Sequence, residues 1–208
     1  MAVPAIHTLD TLSSLSYNST GWSDFKGNFI NTILISHSIY ICAIQEHMQL
    51  ENNLHRLQKC FPSYDVFSTP AVKDNSHVHG GRPSGGLAFV YSNNIGKYVQ
   101  HLSVPNSDRV QGLLLKLPDV SYLYINCYFP VDHRNHDVDI LIKTLQDVKY
   151  LLDSRDNECN VVMLGDLNAV LQEIPHLLPK LKHFYPIIIS RLYGLLLIVI
   201  LHSAKTNL

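Results

Sequence analysis

Polar side chains able to do chemistry follow directly behind apolar runs at several places in the chain. They are Asp166 and Asn168 in VVMLGDLNAV, Glu46 in ICAIQEH, Asn126 and Tyr128 in YINCYFP, and Asn18 in LSYNSTGW. Short apolar, β-rich runs read as buried strands, so these carboxylates, carboxamides and phenol stand at strand ends, where they can face one crevice. Such donors suit a hard divalent cation, Mg2+ first and Mn2+ second. Mg2+ prefers oxygen ligands and keeps several waters that a phosphate can replace. A positioned acid beside it can take a proton from water, because the cation lowers the pKa of that water. Each piece also has a plainer reading: Asp166 and Asn168 as an Asx turn closing a strand, Glu46 as a solvated acid, and Tyr128 as one core tyrosine among 11.

Other constellations carry less. GGRPSGG (80–86) lacks the Lys-Ser/Thr that completes a Walker-type phosphate loop. His77 and His79 in HVH, and His133 and His136 in DHRNHD, show neither a helical HExxH nor a Cys/His finger spacing, and read as solvated loop residues. Cys42, Cys60, Cys127 and Cys159 are scattered singly and read as free thiols of a reducing compartment.

The elements that would position the polar residues follow from periodicity. A β-compatible run at 11–17 precedes a helix over 24–38, with Phe25, Phe29, Ile30, Ile33 and Leu34 at helical spacing. IYICAI (39–44) is a strand, and Leu50, Leu54, Leu57 and Phe61 predict a helix over 50–61. A Gly/Pro/Ser/His-rich connection from Phe67 to Gly86 leads to LAFVYS, KYVQHLSV, DRVQGLLLKL and SYLYINCYF, which read as a β-meander. A helix around 137–152 and the buried strand NVVMLGD complete the pattern. Hairpin-linked strands mixed with helices predict packed sheets covered by helices, rather than a doubly wound parallel sheet.

Composition bounds the function. At 208 residues with 46% hydrophobic and 16% charged content the chain can bury a sizeable core. A net charge of -1 provides no global basic field, so any nucleic-acid surface is built locally. The N-terminus shows no basic stretch followed by an apolar run, so no secretory signal is read, and the expected location is nuclear or cytoplasmic. FYPIIISRLYGLLLIVILH (184–202) is densely apolar, but it holds Arg191 and Pro186 and is short for a span, so a membrane anchor is disfavoured.

Five blocks in this order, SYN, IQEH, SGGLAFVY, INCYFP and GDLNA, resemble the endonuclease/exonuclease/phosphatase superfamily. Within it they are most similar to the apurinic-like endonuclease domain of LINE-type non-LTR retrotransposons. The resemblance implies an α/β sandwich: two packed mixed β-sheets flanked by helices, four layers in all. It implies that Glu46 ligates the metal and Asn18 holds the metal-site network. Asp166 would orient or deprotonate the attacking water, Asn168 would hold the phosphate or that water, and Tyr128 would approach the phosphate. Asn126 and Arg109 are carried over as phosphate or DNA contacts, and DNA is the implied substrate.

The resemblance covers residues 12–170, leaving 1–11 as an N-terminal extension and 171–208 as a divergent apolar tail. Family members continue with a second Asp/Asn strand block and a Ser-Asp-His. Neither follows Asn168 here, and the last forty residues contain no Asp. The tail shows no strand alternation and no helix caps, and the sandwich is expected to be incomplete at its C-terminus. Two alternatives therefore stand beside an impaired metal-dependent phosphodiester hydrolase: an inactive truncated retrotransposon remnant, and a small protein anchored in a membrane through the tail.

Overall fold

A computed structural model describes residues 12–73, 83–130, 135–154, 159–166, 188–192 and 195–199. In chain order the elements begin with strand β1 (Ser14–Asn18), helix α1 (Asp24–Ser36), β2 (Ile41–Gln45) and helix α2 (His55–Lys59). They continue with β3 (Tyr64–Thr69), β4 (Val72–Lys73), β5 (Pro83–Ser84), β6 (Leu87–Ser92) and β7 (Val99–Ser103). The remainder are β8 (Val110–Lys116), β9 (Ser121–Tyr128), helix α3 (Asn135–Asp153), β10 (Asn160–Asp166), β11 (Ile188–Leu192) and β12 (Leu195–Val199).

Two mixed sheets result, one of six strands in the order β11-β12-β1-β2-β6-β3 and one of four in the order β10-β9-β8-β7. β1 runs parallel to β2, and β10 parallel to β9; every other pairing in these sheets is antiparallel. Three apolar clusters follow from the period-two alternation of strand side chains. Ile41 and Ala43 of β2 meet Phe89, Leu113, Tyr124, Val162 and Leu164 between the sheets. The other face of β2, Cys42 and Ile44, packs with Ile30 and Leu34 of α1 and with Leu57 and Phe61. Leu123, Ile125 and Cys127 of β9 pack with Val148 and Leu151 of α3. The expected four layers, helix, sheet, sheet and helix, are thus present.

Several elements differ from expectation. The helix expected over 50–61 is a 3-10 turn at Glu51–Asn53 followed by the short α2. Asn52 and Asn53 are weak helix formers and Leu50 supplies no side-chain cap, so packing of Leu57 and Phe61 fixes one turn without extending the rest. The connection expected from Phe67 contains the end of β3, whose residues pair with β6 along its whole length. The four-strand meander is split. All six residues of β6 are buried and it inserts between β2 and β3, while the 3-10 turn Asn93–Tyr98 carries the chain to β7–β9 in the other sheet. In α1, Ile30 and Leu34 are buried as expected, but Phe25 is 81% exposed. His136 lies in α3 rather than in a loop, while His77, His79 and His133 fall outside the described residues.

The apolar tail also differs. Residues 188–192 and 195–199 form an antiparallel pair, and β12 pairs with β1 through Ser16↔Leu196 and Tyr17↔Leu195. An edge strand presents unpaired N–H and C=O groups, and a run rich in Ile, Leu and Val can satisfy them whether or not its side chains alternate. Among the described residues no helix is long and apolar enough to cross a membrane.

Candidate active site

β1, β2, β9 and β10 place their C-terminal ends together, because the two parallel pairs face each other across the sandwich. On the inward faces of β2, β9 and β10 the apolar pattern gives way to polar residues at that end, while the same face of β1 is polar throughout. β1 presents Ser14, Ser16 and Asn18; β2 ends at Gln45; β9 runs Tyr124, Asn126, Tyr128; β10 runs Val162, Leu164, Asp166.

Asn18 is the hub. One Nδ2 hydrogen goes to Glu46 Oε1 at 2.6 Å and the other to Asp166 Oδ2 at 2.9 Å, so a single carboxamide holds two carboxylates from opposite sheets. Its Oδ1 accepts from the Thr20 backbone N–H at 3.0 Å, an Asx turn that orients the amide. Lys26 Nζ donates to the carbonyls of Ser19 and Gly21 at 2.6 and 2.9 Å and pins that turn from α1.

Glu46 follows β2 with φ +53, in the left-handed region that side chains other than glycine seldom adopt. Its carbonyl accepts from Gly21 N–H at 2.7 Å. Tyr128 hydrogen-bonds Glu46 through its hydroxyl. Burial, and then the charge of Glu46, push that hydroxyl's pKa well up, so Tyr128 stays a neutral donor. Arg109 stacks over the Tyr128 ring at 4.9 Å and donates Nη1–H to the Tyr128 carbonyl at 3.3 Å. It therefore borders the site through Tyr128.

Gly165 explains the Gly-Asp order of the last strand. Its φ is +143, and a Cβ there would overlap the Cys127 carbonyl of the neighbouring strand. The bare glycine lets β10 close onto β9, and Phe129 N–H then reaches the Asp166 carbonyl at 3.0 Å.

The structure corrects the expectation for Asn126. It is 0% exposed, and its two Nδ2 hydrogens go to the carbonyls of Ile44 and Ala88, both at 3.1 Å. Its Oδ1 accepts from Gln45 Nε2 at 2.8 Å, and Gln45 in turn meets Ser16 Oγ at 3.2 Å. A side chain so enclosed does not reach a phosphate; it joins the sheets beneath the site. Asn168 lies outside the described residues. Of the expected site residues, then, Asn18, Glu46, Tyr128 and Asp166 converge, Arg109 flanks them and Asn126 lies below.

Sequence reasoning missed Gln45, Ser16 and His47. Gln45 and His47 flank Glu46 in IQEH, and the visible signal was polar residues continuing a run whose inward face should be apolar. His47 is 0% exposed, and burial lowers its pKa to about 4.

The donor set fits a Mg2+-type cation, which takes one or two carboxylates and otherwise water or substrate oxygen. Glu46 and Asp166 are two partly exposed carboxylates joined by one amide.

A sandwich of two mixed sheets between helices, with carboxylates and carboxamides at the ends of its parallel strands, defines a four-layer α/β class of architecture. The chain belongs to the Endonuclease/Exonuclease/phosphatase family, which it matches over residues 18–186. No curated protein matches it. Among solved structures it resembles an AP endonuclease from Archaeoglobus fulgidus, with TM-score 0.53 and 18% identity over 83% of this chain and 63% of that one. It also resembles a truncated Caenorhabditis elegans TDP2, with TM-score 0.52 and 16% identity over 79% and 65% of the two chains. A third is the 3' phosphatase NExo from Neisseria bound to a product DNA hairpin, with TM-score 0.54 and 15% identity over 76% and 58%. The chain spans less than two thirds of the length of each of these, and at such identities the likeness is one of fold.

Proposed function

We propose that the chain is a divalent-metal-dependent phosphodiester hydrolase of the family, acting on DNA in the manner of the endonuclease of LINE-type retrotransposons. The observation that carries this reading is the Asn18 carboxamide bridging Glu46 and Asp166 across the two sheets, with the Tyr128 hydroxyl on Glu46. Glu46 is the metal acid, and Asn18 holds the network. Asp166 accepts the proton of the attacking water, and Tyr128 donates toward a phosphate oxygen. A bound Mg2+ or Mn2+ supplies Lewis-acid polarisation of the phosphate and a more acidic water. Asn168 is assigned, on the GDLN block alone, to holding the phosphate or the water. DNA is supported by the retrotransposon-like blocks and by the DNA bound to the Neisseria relative, and a nuclear or cytoplasmic location accords with it.

Residues 12–170 form the catalytic domain in this reading and 171–208 the divergent tail. A second reading is a retrotransposon remnant without turnover. The deciding test is nicking of supercoiled plasmid with Mg2+, with Glu46→Gln as control. Metal-dependent nicking that the control loses supports the hydrolase. Its absence, under conditions where a longer relative nicks, supports the remnant.

A further inference from the structure

His47 sits in the chain directly after Glu46, and its ring is built into the floor beneath the site. Nδ1 accepts the Gln49 backbone N–H at 3.0 Å, which puts the ring proton on Nε2. Nε2 lies 3.2 Å from the carbonyl of Thr69, the last residue of β3, and 3.2 Å from the carbonyl of Leu87, the first residue of β6. The ring rests on the backbone of Gly86, where a Cβ would come within 2.5 Å of Cε1. Main-chain bonds complete the clamp: His47 N–H to Gly86 O at 3.3 Å, Met48 N–H to Gly85 O at 3.0 Å, and Trp22 N–H to His47 O at 3.0 Å.

The residues on either side, Glu46 and Met48, have φ +53 and +55. Two left-handed residues around one buried ring form a segment that the chain does not adopt unaided; surrounding structure must impose it. This backbone turn aims the Glu46 carboxylate at Asn18 and Tyr128 instead of continuing the strand.

We propose that His47 is a positioning residue: by tying the end of β2 to β3 and β6 through Nε2, it holds Glu46 in the conformation that presents its carboxylate to the metal. The proposal rests on the reading of Glu46 as a metal acid. A core histidine that only added stability would affect unfolding and leave cation affinity alone. Supporting groups of metal ligands are typically worth about 10- to 100-fold in affinity.

The test measures binding of Mn2+ alone to the full chain by electron paramagnetic resonance, with thermal unfolding of each variant. His47→Gln keeps an amide donor near the Nε2 position, whereas His47→Asn keeps an acceptor near Nδ1 and loses the reach to Thr69 and Leu87. His47→Asn is expected to weaken Mn2+ binding about 10-fold or more, and His47→Gln to restore most of it. If His47→Asn does not fold, His47→Phe takes its place, since it fills the volume of the ring without the Nε2–H that reaches Thr69 and Leu87. Native Mn2+ affinity in these variants, with affinity lost in Glu46→Gln, would overturn the positioning role and leave the metal reading standing. Native affinity in Glu46→Gln itself would overturn the metal reading and the positioning role with it.

Discussion

Asn18 carries more of the site than its residue type suggests, because its two amide hydrogens are divided between carboxylates that would otherwise face each other unmediated. A hydrogen bond to a charged group is worth roughly 1.5–3 kcal/mol net, less where water reaches it. Asn18→Ala should therefore lower unfolding stability by about 1–2 kcal/mol in urea titration without metal. A neutral change would mean that the bridge is not formed in solution. Tyr128 is held as a neutral donor by burial and by Glu46. Tyr128→Phe should slow plasmid nicking by about 100-fold while leaving the thermal midpoint nearly unchanged, the pattern of a lost donor to developing charge. Glu46, Asp166, Tyr128 and Asn18 were legible as separate residues, since each ends or follows an apolar run. Asn126 was misjudged for a physical reason. Period two places it on the same face as Tyr128, but depth along the strand decides whether that face meets solvent or the opposite sheet.

At the scale of elements, the joint between the sheets is polar as well as apolar. Gln45, Ser16 and Asn126 form one buried amide network, and such a network stabilises only when its members are paired. Gly165→Ala should be among the most damaging single changes. It places a methyl group on the Cys127 carbonyl at a φ that alanine rarely adopts, and a loss of about 3 kcal/mol or more is expected from chemical denaturation. A second joint lies at the sheet edges, where His101 of β7 stacks on Phe67 of β3 at 4.1 Å and pairs with the Tyr91 hydroxyl of β6 at 2.8 Å. Burial lowers the His101 pKa, against an opposing pull from Asp65. The unfolded chain therefore binds the proton more readily than the folded one. The contribution is present above the ordinary histidine range and is lost as pH falls through the lowered folded value. His101→Phe should flatten this part of the stability profile between neutral and mildly acidic pH; an unchanged slope would assign the acid sensitivity to other groups. Strands that alternate or run apolar, and the long helix α3, were readable from periodicity. β3 and the broken helix at 50–61 were not, because pairing with β6 and packing of Phe61 override weak local preference.

For the whole molecule, the tail decides how the larger sheet ends. With β12 paired to β1, the strand that carries Asn18 is interior to the sheet rather than at its rim. Deletion of residues 188–208 should expose the β1 edge and promote self-association, measured as a shift to larger species in size-exclusion chromatography. A monodisperse monomer after deletion would show that the edge is not relied upon. What the sequence by itself determined is the set of alternating and apolar runs, hence the two sheets with their helical covers, and the polar residues that close the strands. Those features are local, because side-chain period and strand-end chemistry are written in neighbouring residues. Only the tertiary structure decided which strand ends meet, that one asparagine bridges acids 28 and 148 residues away, and that Asn126 is enclosed while Tyr128 is not. Those outcomes depend on parallel pairing and on one sheet facing another, relations between distant segments that no window of sequence contains.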